Sequence, residues 1–299
     1  MEKLSLRNTI KNILDVHLNQ NNGILLGECV SDIGGVAGTI PESKNVIDLP
    51  MTEIAGADIA VGCALAGRQP VFVVRFQDFM LMNGSPFIAF AAVVKEMLGL
   101  TAPVFIRALA NDHFDATHSN VLHSLFMHFS GIKVVAPCTP GEYKEAWNSF
   151  INDDVPYYVS EYRDTFDNNE EIADVITADA DINIWGISVC RQRIFEAKKI
   201  LNKDGIKTNI FNIIWLKPFC VEKYAQYLKH TPIGLVVEPG REICGAAEAY
   251  AYRLMKLSQG AYVDVLGVKD KIKTTNPGCY NEVPTAEMIV TKVKELLLR

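Results

Sequence analysis

The 299-residue chain predicts an α/β fold of parallel sheets with helices on both faces, and three features of its pattern carry that prediction. Apolar runs of strand length alternate with longer helical patterns from end to end, as crossover-connected parallel strands require. The runs are continuous rather than alternating, which suits strands covered on both sides. A polar, acidic stretch, Arg163-Asp-Thr-Phe-Asp-Asn-Asn-Glu-Glu171, ends one series before a second begins at Ile182. Two doubly wound domains follow, over 1–165 and 178–299, the second smaller.

In the first series strands are expected at 23–29, 71–76, 103–107, 133–136 and 156–160. After the first strand comes Asp48-Leu-Pro-Met-Thr-Glu53, leading into a small-residue helix over 54–67. Pro50 is acceptable as its first helical residue because a missing N–H costs nothing there, and the Ala/Gly run lets another backbone or a ligand approach closely. Glu53 then opens a helix among apolar neighbours, which predicts a buried carboxylate in need of a partner. The plain alternative is a helix-start acid satisfied by backbone N–H groups. A helix is expected over 121–129. The second series reads as a strand at 182–188, a helix near 194–201, strands at 208–214 and 233–238, a helix over 244–257, a strand at 262–266 and a terminal helix over 286–298.

Composition narrows the function classes. Hydrophobic content of 49% supports sizeable cores. No apolar sequence run approaches the roughly 18 residues that span a bilayer, and Met1-Glu-Lys-Leu-Ser-Leu-Arg7 lacks the layout of a signal peptide. A cytoplasmic protein with no membrane role is the expectation. The seven cysteines are odd in number, scattered and never in a Cys-x-x-Cys arrangement, so they read as reduced thiols. A net charge of −6 with dispersed basic residues gives no footprint for nucleic acid. Small molecules and other proteins remain as partners.

Motifs exclude further classes. There is no Gly-x-x-x-x-Gly-Lys-Ser/Thr and no Gly-x-Gly-x-x-Gly after a strand; Gly34-Gly-Val-Ala-Gly38 has the wrong spacing. No Gly-x-Ser-x-Gly elbow argues for a hydrolase. Four of the six histidines, His113, His118, His123 and His128, fall five residues apart. Five residues turn a helix by about 500° and alternate faces in a strand, so convergent metal ligation would need an irregular loop. A single catalytic histidine in the loop before 121 is a stronger reading than a metal site, although a solvated loop histidine is the ordinary expectation. Arg75-Phe-Gln-Asp-Phe79 follows a strand directly, where ligands enter parallel sheets, although on spacing alone core packing explains two aromatics better.

Taken in order, these segments resemble the beta subunits of thiamin-diphosphate-dependent 2-oxo acid dehydrogenases and, more distantly, the C-terminal two-thirds of transketolases. The pieces are Leu26-Gly-Glu28, Val46-Ile-Asp-Leu-Pro-Met-Thr-Glu53, Gly62-Cys-Ala-Leu-Ala-Gly67, Phe76-Gln-Asp-Phe79, His118-Ser119 and Gly131-Ile-Lys-Val-Val-Ala-Pro137. Leu216-Lys-Pro-Phe219 and Val236-Val-Glu-Pro-Gly240 add the second half, so nearly the whole chain is covered. The resemblance implies a thiamin pyrimidine-binding domain followed by a transketolase C-terminal-like domain.

By that resemblance Glu53 matches the glutamate that hydrogen-bonds the cofactor's aminopyrimidine and so helps the thiazolium carbon lose its proton. An apolar surround would raise its pKa for that task. Phe79 matches the aromatic that stacks on the pyrimidine, with Phe76 nearby, and Met51 and Glu28 join the implied cofactor-binding set. His118 matches the histidine that handles protons during acyl transfer. The family's diphosphate anchor contains a Gly-Asp turn, and this chain has no Gly-Asp dipeptide. A separate alpha-type subunit is therefore implied to hold Mg²⁺ and the diphosphate, in an alpha2beta2 assembly, with a lipoyl acyltransferase as a further partner.

Two departures stand out. The stretch Asn111-Asp-His-Phe-Asp-Ala-Thr-His-Ser-Asn120 has no glycine and ends in Asn120 where the family has Gln. Arg75 stands at a position that is generally uncharged. Ser119, Asn120 and Arg75 are thus the candidate substrate residues, with Arg75 either facing an anionic substrate or paired with Asp78. The reading that follows is decarboxylation of a 2-oxo acid with transfer of the acyl group. Its alternatives are the small subunit of a split transketolase and a non-catalytic scaffold that has kept the fold.

Overall fold

The computed structural model describes residues 3–21, 23–32, 35–111, 118–271 and 283–298. His113, most of the glycine-free stretch before His118, Gly34 and Cys279 lie outside the described residues. The chain divides into two compact units, Met1–Glu171 and Ile172–Arg299. The first reaches past the expected 165 because its last turn is tied down. Leu6 and Arg7 donate backbone N–H groups to the carbonyls of Asn168 and Phe166, and Arg7 Nη2 binds Asp167 at 2.8 Å.

The first unit contains α1 (Leu6–Asn19), β1 (Ile24–Glu28), β2 (Val46–Leu49), α2 (Glu53–Leu65), β3 (Pro70–Val74), α3 (Met80–Pro86), α4 (Val94–Leu98), β4 (Phe105–Ala110), α5 (His123–Met127), β5 (Lys133–Val135), α6 (Pro140–Phe150) and β6 (Tyr157–Tyr162). Its strands lie in the order β2-β1-β3-β4-β6-β5, all parallel. Each helix has a local reason to form. Ser5 caps α1, whose Leu6, Ile10, Leu14 and Leu18 recur at helical spacing and are buried. Thr139 caps α6 by accepting the Glu142 N–H, the Glu142 carboxylate accepts the Cys138 N–H, and Pro140 stands at the helix start. Across β4 and β6 the wholly buried Arg107 binds both oxygens of Glu161 at 2.7 Å, and Tyr143 from α6 donates to the same carboxylate at 2.8 Å.

The α2 helix starts later than expected. Thr52 is its cap, Glu53 its first residue, and Pro50 stays outside in an exposed turn. Gly56, Ala57, Ala60 and Ala64 face inward, and a Cβ on Gly56 would come within 2.9 Å of Leu49. On the outer side Ile54, Ile59 and Leu65 are exposed. The helix is therefore apolar all round, and only one side is covered.

A continuous helical stretch over Gln77–Leu98, with a π-helical turn at Phe87–Ala91, is by length and composition apolar enough to cross a membrane. Its inner residues are seated in the domain: Phe87 meets Phe72 of β3 at 5.3 Å between ring centres, and Gly84 faces Phe126. Leu81, Met82, Met97 and Leu98 stay exposed.

The second unit runs β7 (Ile182–Ile187), α7 (Cys190–Lys203), β8 (Thr208–Ile213), β9 (Trp215–Lys217), α8 (Ala225–His230), β10 (Ile233–Arg241), α9 (Ala246–Leu257), β11 (Tyr262–Val268) and α10 (Ala286–Leu297). Four of these strands form a parallel sheet in the order β11-β10-β7-β8. Both sheets are doubly wound, as the continuous apolar runs predict.

Candidate active site

In a doubly wound sheet the crevice opens where successive connections run to opposite sides, which in the first unit is between the carboxyl ends of β1 and β3. A cavity of about 200 Å³ lies there, lined by Glu28, Cys29, Met51, Phe72, Val73, Val74, Arg75, Phe76, Phe79, Asn83 and His118. The chain leaves β1 through Cys29, whose φ of 53° is left-handed. Asp48 holds that turn by accepting from the N–H groups of Val30 and Ser31 at 3.2 Å and from the Ser31 hydroxyl. Burial works against its charge, but these bonds, led by those from Ser31, keep the Asp48 carboxyl below its usual range.

Glu28 and Glu53 meet at the mouth. Glu28 accepts the N–H of Thr52 at 2.9 Å, which ties the end of β1 to the start of α2. Its pKa is raised by burial and, to a smaller extent, by the charge of Glu53. The sequence reading expected a buried Glu53. The structure corrects it: Glu53 is only half-buried, because Met51, Thr52 and Ile54 around it lie open.

Three rings form the opposite wall. His118 lies edge-on to Phe76 at 4.6 Å and to Phe79 at 5.4 Å, and the two phenylalanines are themselves perpendicular. The Arg163 guanidinium sits 4.8 Å from the ring centre of Phe76, and its Nη2 donates to the Arg75 carbonyl at 3.0 Å. Burial, then the charge of Arg75, lowers the Arg163 pKa. Arg75 pairs with Asp32 at 3.3 Å, not with Asp78 as the sequence allowed, since β1 lies beside β3 and brings the two exits together. Asp78 instead accepts from Asn120, through both the backbone N–H at 3.1 Å and the side-chain amide.

The expected residues Glu28, Met51, Arg75, Phe76, Phe79 and His118 thus line one cavity. Glu53 stands at its rim beside Glu28. Ser119 is buried, and Asn120 faces Asp78 behind the aromatic wall. Sequence reasoning gave no site role to Cys29, Asn83, Asp48 and Arg163, although Asp48 lies in the stretch singled out before Glu53. His123 is buried against Ser160 at 3.1 Å and His128 packs on Phe129, so these two share no ligand position with His118. Among the described residues no three His, Cys, Asp or Glu side chains gather as a metal site.

Comparison with known proteins agrees with this geometry. The family described as transketolase, pyrimidine binding domain matches residues 11–167, and transketolase, C-terminal domain matches 172–283. The beta subunit of acetoin:2,6-dichlorophenolindophenol oxidoreductase from Cupriavidus necator is 27% identical, over 87% of this chain and 86% of that protein. The pyruvate dehydrogenase E1 component subunit beta of Rickettsia bellii is also 27% identical, over 71% of this chain and 70% of its own length. Among solved structures, a chain described as a split gene transketolase, inactive beta4 tetramer, aligns over 99% of both chains with a TM-score of 0.75 at 16% identity. Transketolase from Campylobacter jejuni aligns over 98% of this chain and 46% of its own, with a TM-score of 0.76.

Proposed function

The chain belongs to the transketolase pyrimidine-binding domain family, and from that premise we propose that it is the beta-type subunit of a two-component thiamin-diphosphate enzyme acting on a 2-oxo acid, with acyl transfer as its outcome. The observation that carries this reading is the crevice itself, where a carboxyl pair, Glu28 and Glu53, faces a wall of Phe76, Phe79 and His118 across a mostly apolar floor. Such a donor set fits a flat, aromatic, nitrogen-bearing ring: phenylalanine faces to pack on it, a carboxyl to share a proton with a ring nitrogen. Phe72, Val73 and Val74 add a buried apolar lining, with Met51 at the open side.

Thiamin diphosphate, when bound, supplies a nucleophilic carbon that attacks a ketone and holds the electron pair released as the neighbouring bond breaks. The residues of this chain then have separable tasks. Glu53 holds a proton against the ring nitrogen at the helix start. Glu28 keeps that helix start fixed through its hydrogen bond from Thr52. Phe79 and Phe76 orient the ring by contact, and His118 faces the reacting ketone as proton donor and acceptor.

An alpha-type partner is part of the reading. No Gly-Asp turn for a diphosphate and Mg²⁺ exists in the chain, and the outer sides of α2, α3 and α4 leave Ile54, Ile59, Leu81, Met82, Met97 and Leu98 exposed together. An apolar patch of this extent marks a protein interface. We place the metal and phosphates on the partner, against this face, in an alpha2beta2 assembly that a lipoyl acyltransferase serves.

One observation favours ketol transfer as a second reading: Arg75 at the lip has a buried Nε without a hydrogen bond, beside a second arginine. A panel of 2-oxo acids and ketose phosphates, offered to the chain reconstituted with its alpha-type partner, decides between the two. Decarboxylation with an artificial electron acceptor is expected. Turnover confined to ketoses with an aldehyde acceptor overturns the first reading, and Arg75→Met would then raise KM about 10- to 150-fold by loss of one charge-assisted contact.

A further inference from the structure

The tetrapeptide that supplies the aromatic wall also anchors the chain on the far side of His118. Gln77 is wholly buried, and all four of its hydrogen-bonding capacities are met. Its Oε1 accepts from the Leu122 N–H at 2.7 Å and from the Tyr158 hydroxyl at 2.9 Å, while Nε2 donates to the Ala108 carbonyl at 3.1 Å and to Ser160 Oγ at 2.8 Å. Next to it, Asp78 directs both carboxylate oxygens at one residue. Asn120 gives it a backbone N–H at 3.1 Å and its side-chain amide. Phe76 and Phe79, on either side of this dipeptide, are the rings that His118 touches.

We propose that Asp78 is a positioning residue that sets the His118 imidazole through Asn120, with Gln77 fixing the same segment one step further at Leu122. Asp78 does not line the cavity, so it acts on the chemistry only through the placement of His118. A charged acceptor makes stronger hydrogen bonds than a neutral one, and two bonds to a single residue remove its freedom to rotate about the chain. This arrangement also gives Asn120 a task that its amide suits: it is the complement of Asp78. The proposal rests on the reading of His118 as the proton-handling group, and its test separates the two.

The full-length chain, labelled at histidine Cε1, is observed by NMR in wild type, Asp78→Ala, Asn120→Asp and the exchange Asp78→Asn/Asn120→Asp. In the exchange the new amide at 78 donates to the new carboxylate at 120, and its carbonyl oxygen still accepts the backbone N–H. The chain has six histidines, so His118→Asn identifies the resonance. Both single variants are expected to move the His118 signal away from its ring-shifted position while that of His128 stays, and the exchange to restore it. In the reconstituted enzyme kcat should fall about 10- to 100-fold in the single variants, with thiamin diphosphate affinity unchanged, and recover in the exchange. Asp78→Asn, which keeps the volume and one acceptor, replaces Asp78→Ala if the latter does not fold. A His118 signal unmoved by the single variants, or a folded exchange variant that fails to restore it, overturns the proposal. A moved signal with unchanged kcat upholds the positioning and overturns the role given to His118.

Discussion

The two units are both doubly wound parallel sheets, yet the acid beside the topological switch is placed differently in each. In the first, the exits of β1 and β3 diverge around a cavity of about 200 Å³ with Glu28 in its lining. In the second, beside the equivalent place between β7 and β10, the acid is engaged by the protein itself. Glu238, at the end of β10 and wholly buried, accepts the Ala247 N–H at 2.7 Å at the start of α9. A Cβ on Gly245 would come within 2.1 Å of the same carboxylate, so the turn has closed down on it. Each crevice places an acid beside a helix start. Both accept a helix-start N–H, but Glu28 stays half-exposed and lines a cavity whereas Glu238 is wholly buried, so side chains rather than topology set what each switch offers a ligand.

The comparison is most exposed to failure at Glu53. Glu53→Gln keeps the shape but cannot share a proton, and the reconstituted enzyme should lose a factor of about 10² to 10⁴ in kcat with its melting temperature little changed. Near-normal turnover would reduce Glu53 to a helix-start acid and put the two crevices on an equal footing. The matching change in the second unit, Glu238→Ala, should act the other way round. It leaves a buried N–H without its acceptor, so stability measured by denaturant should fall by about 1–3 kcal/mol while cofactor affinity of the folded protein holds. Loss of activity out of proportion to unfolding would show that the second crevice is functional after all.

The smallest effect sharpens the contrast within the open site. Burial raises the Glu28 pKa, so the folded state favours its protonated form, and the stability this contributes is present at low pH and lost as pH rises through the raised value. Glu28→Gln mimics the protonated acid and can still accept the Thr52 N–H. Its melting temperature should exceed that of wild type by on the order of 1 °C at pH 7 to 8, and the difference should vanish below the ordinary carboxylate range. A variant less stable at neutral pH would mean that the charged form of Glu28 is the one the fold prefers.

Much of the architecture was legible because buried parallel strands are largely apolar runs, as β3 is throughout and as β4 and β7 are but for Arg107 and Asn183. Two strands escaped: β9 is only three residues long, and β2 is four residues long, half-open at both ends and exposed in the middle, so its pattern is that of a loop. Within the site, Phe76, Phe79 and His118 stood as separate weak signals until the resemblance joined them, since β4 parts the rings in sequence. That neither crevice carboxyl is fully buried could not be read at all. Glu53 has the apolar neighbours in sequence, but helix geometry turns them outward, and Glu28, equally half-exposed, stands at the end of a strand that only the sheet order brings beside β2 and β3. The Arg75–Asp32 pair was hidden for the same reason.

The outward row of Ile54, Leu81, Met97 and their neighbours has a consequence for how a cell must manufacture this chain. A polypeptide that emerges from the ribosome with such a face is sticky until the face is covered, so copies made in excess are claimed by chaperones, proteases or one another. Under the proposed assembly, supply of the covering surface sets the yield of soluble chain, and the requirement for balanced synthesis is written into α2 and α4 rather than into any catalytic residue.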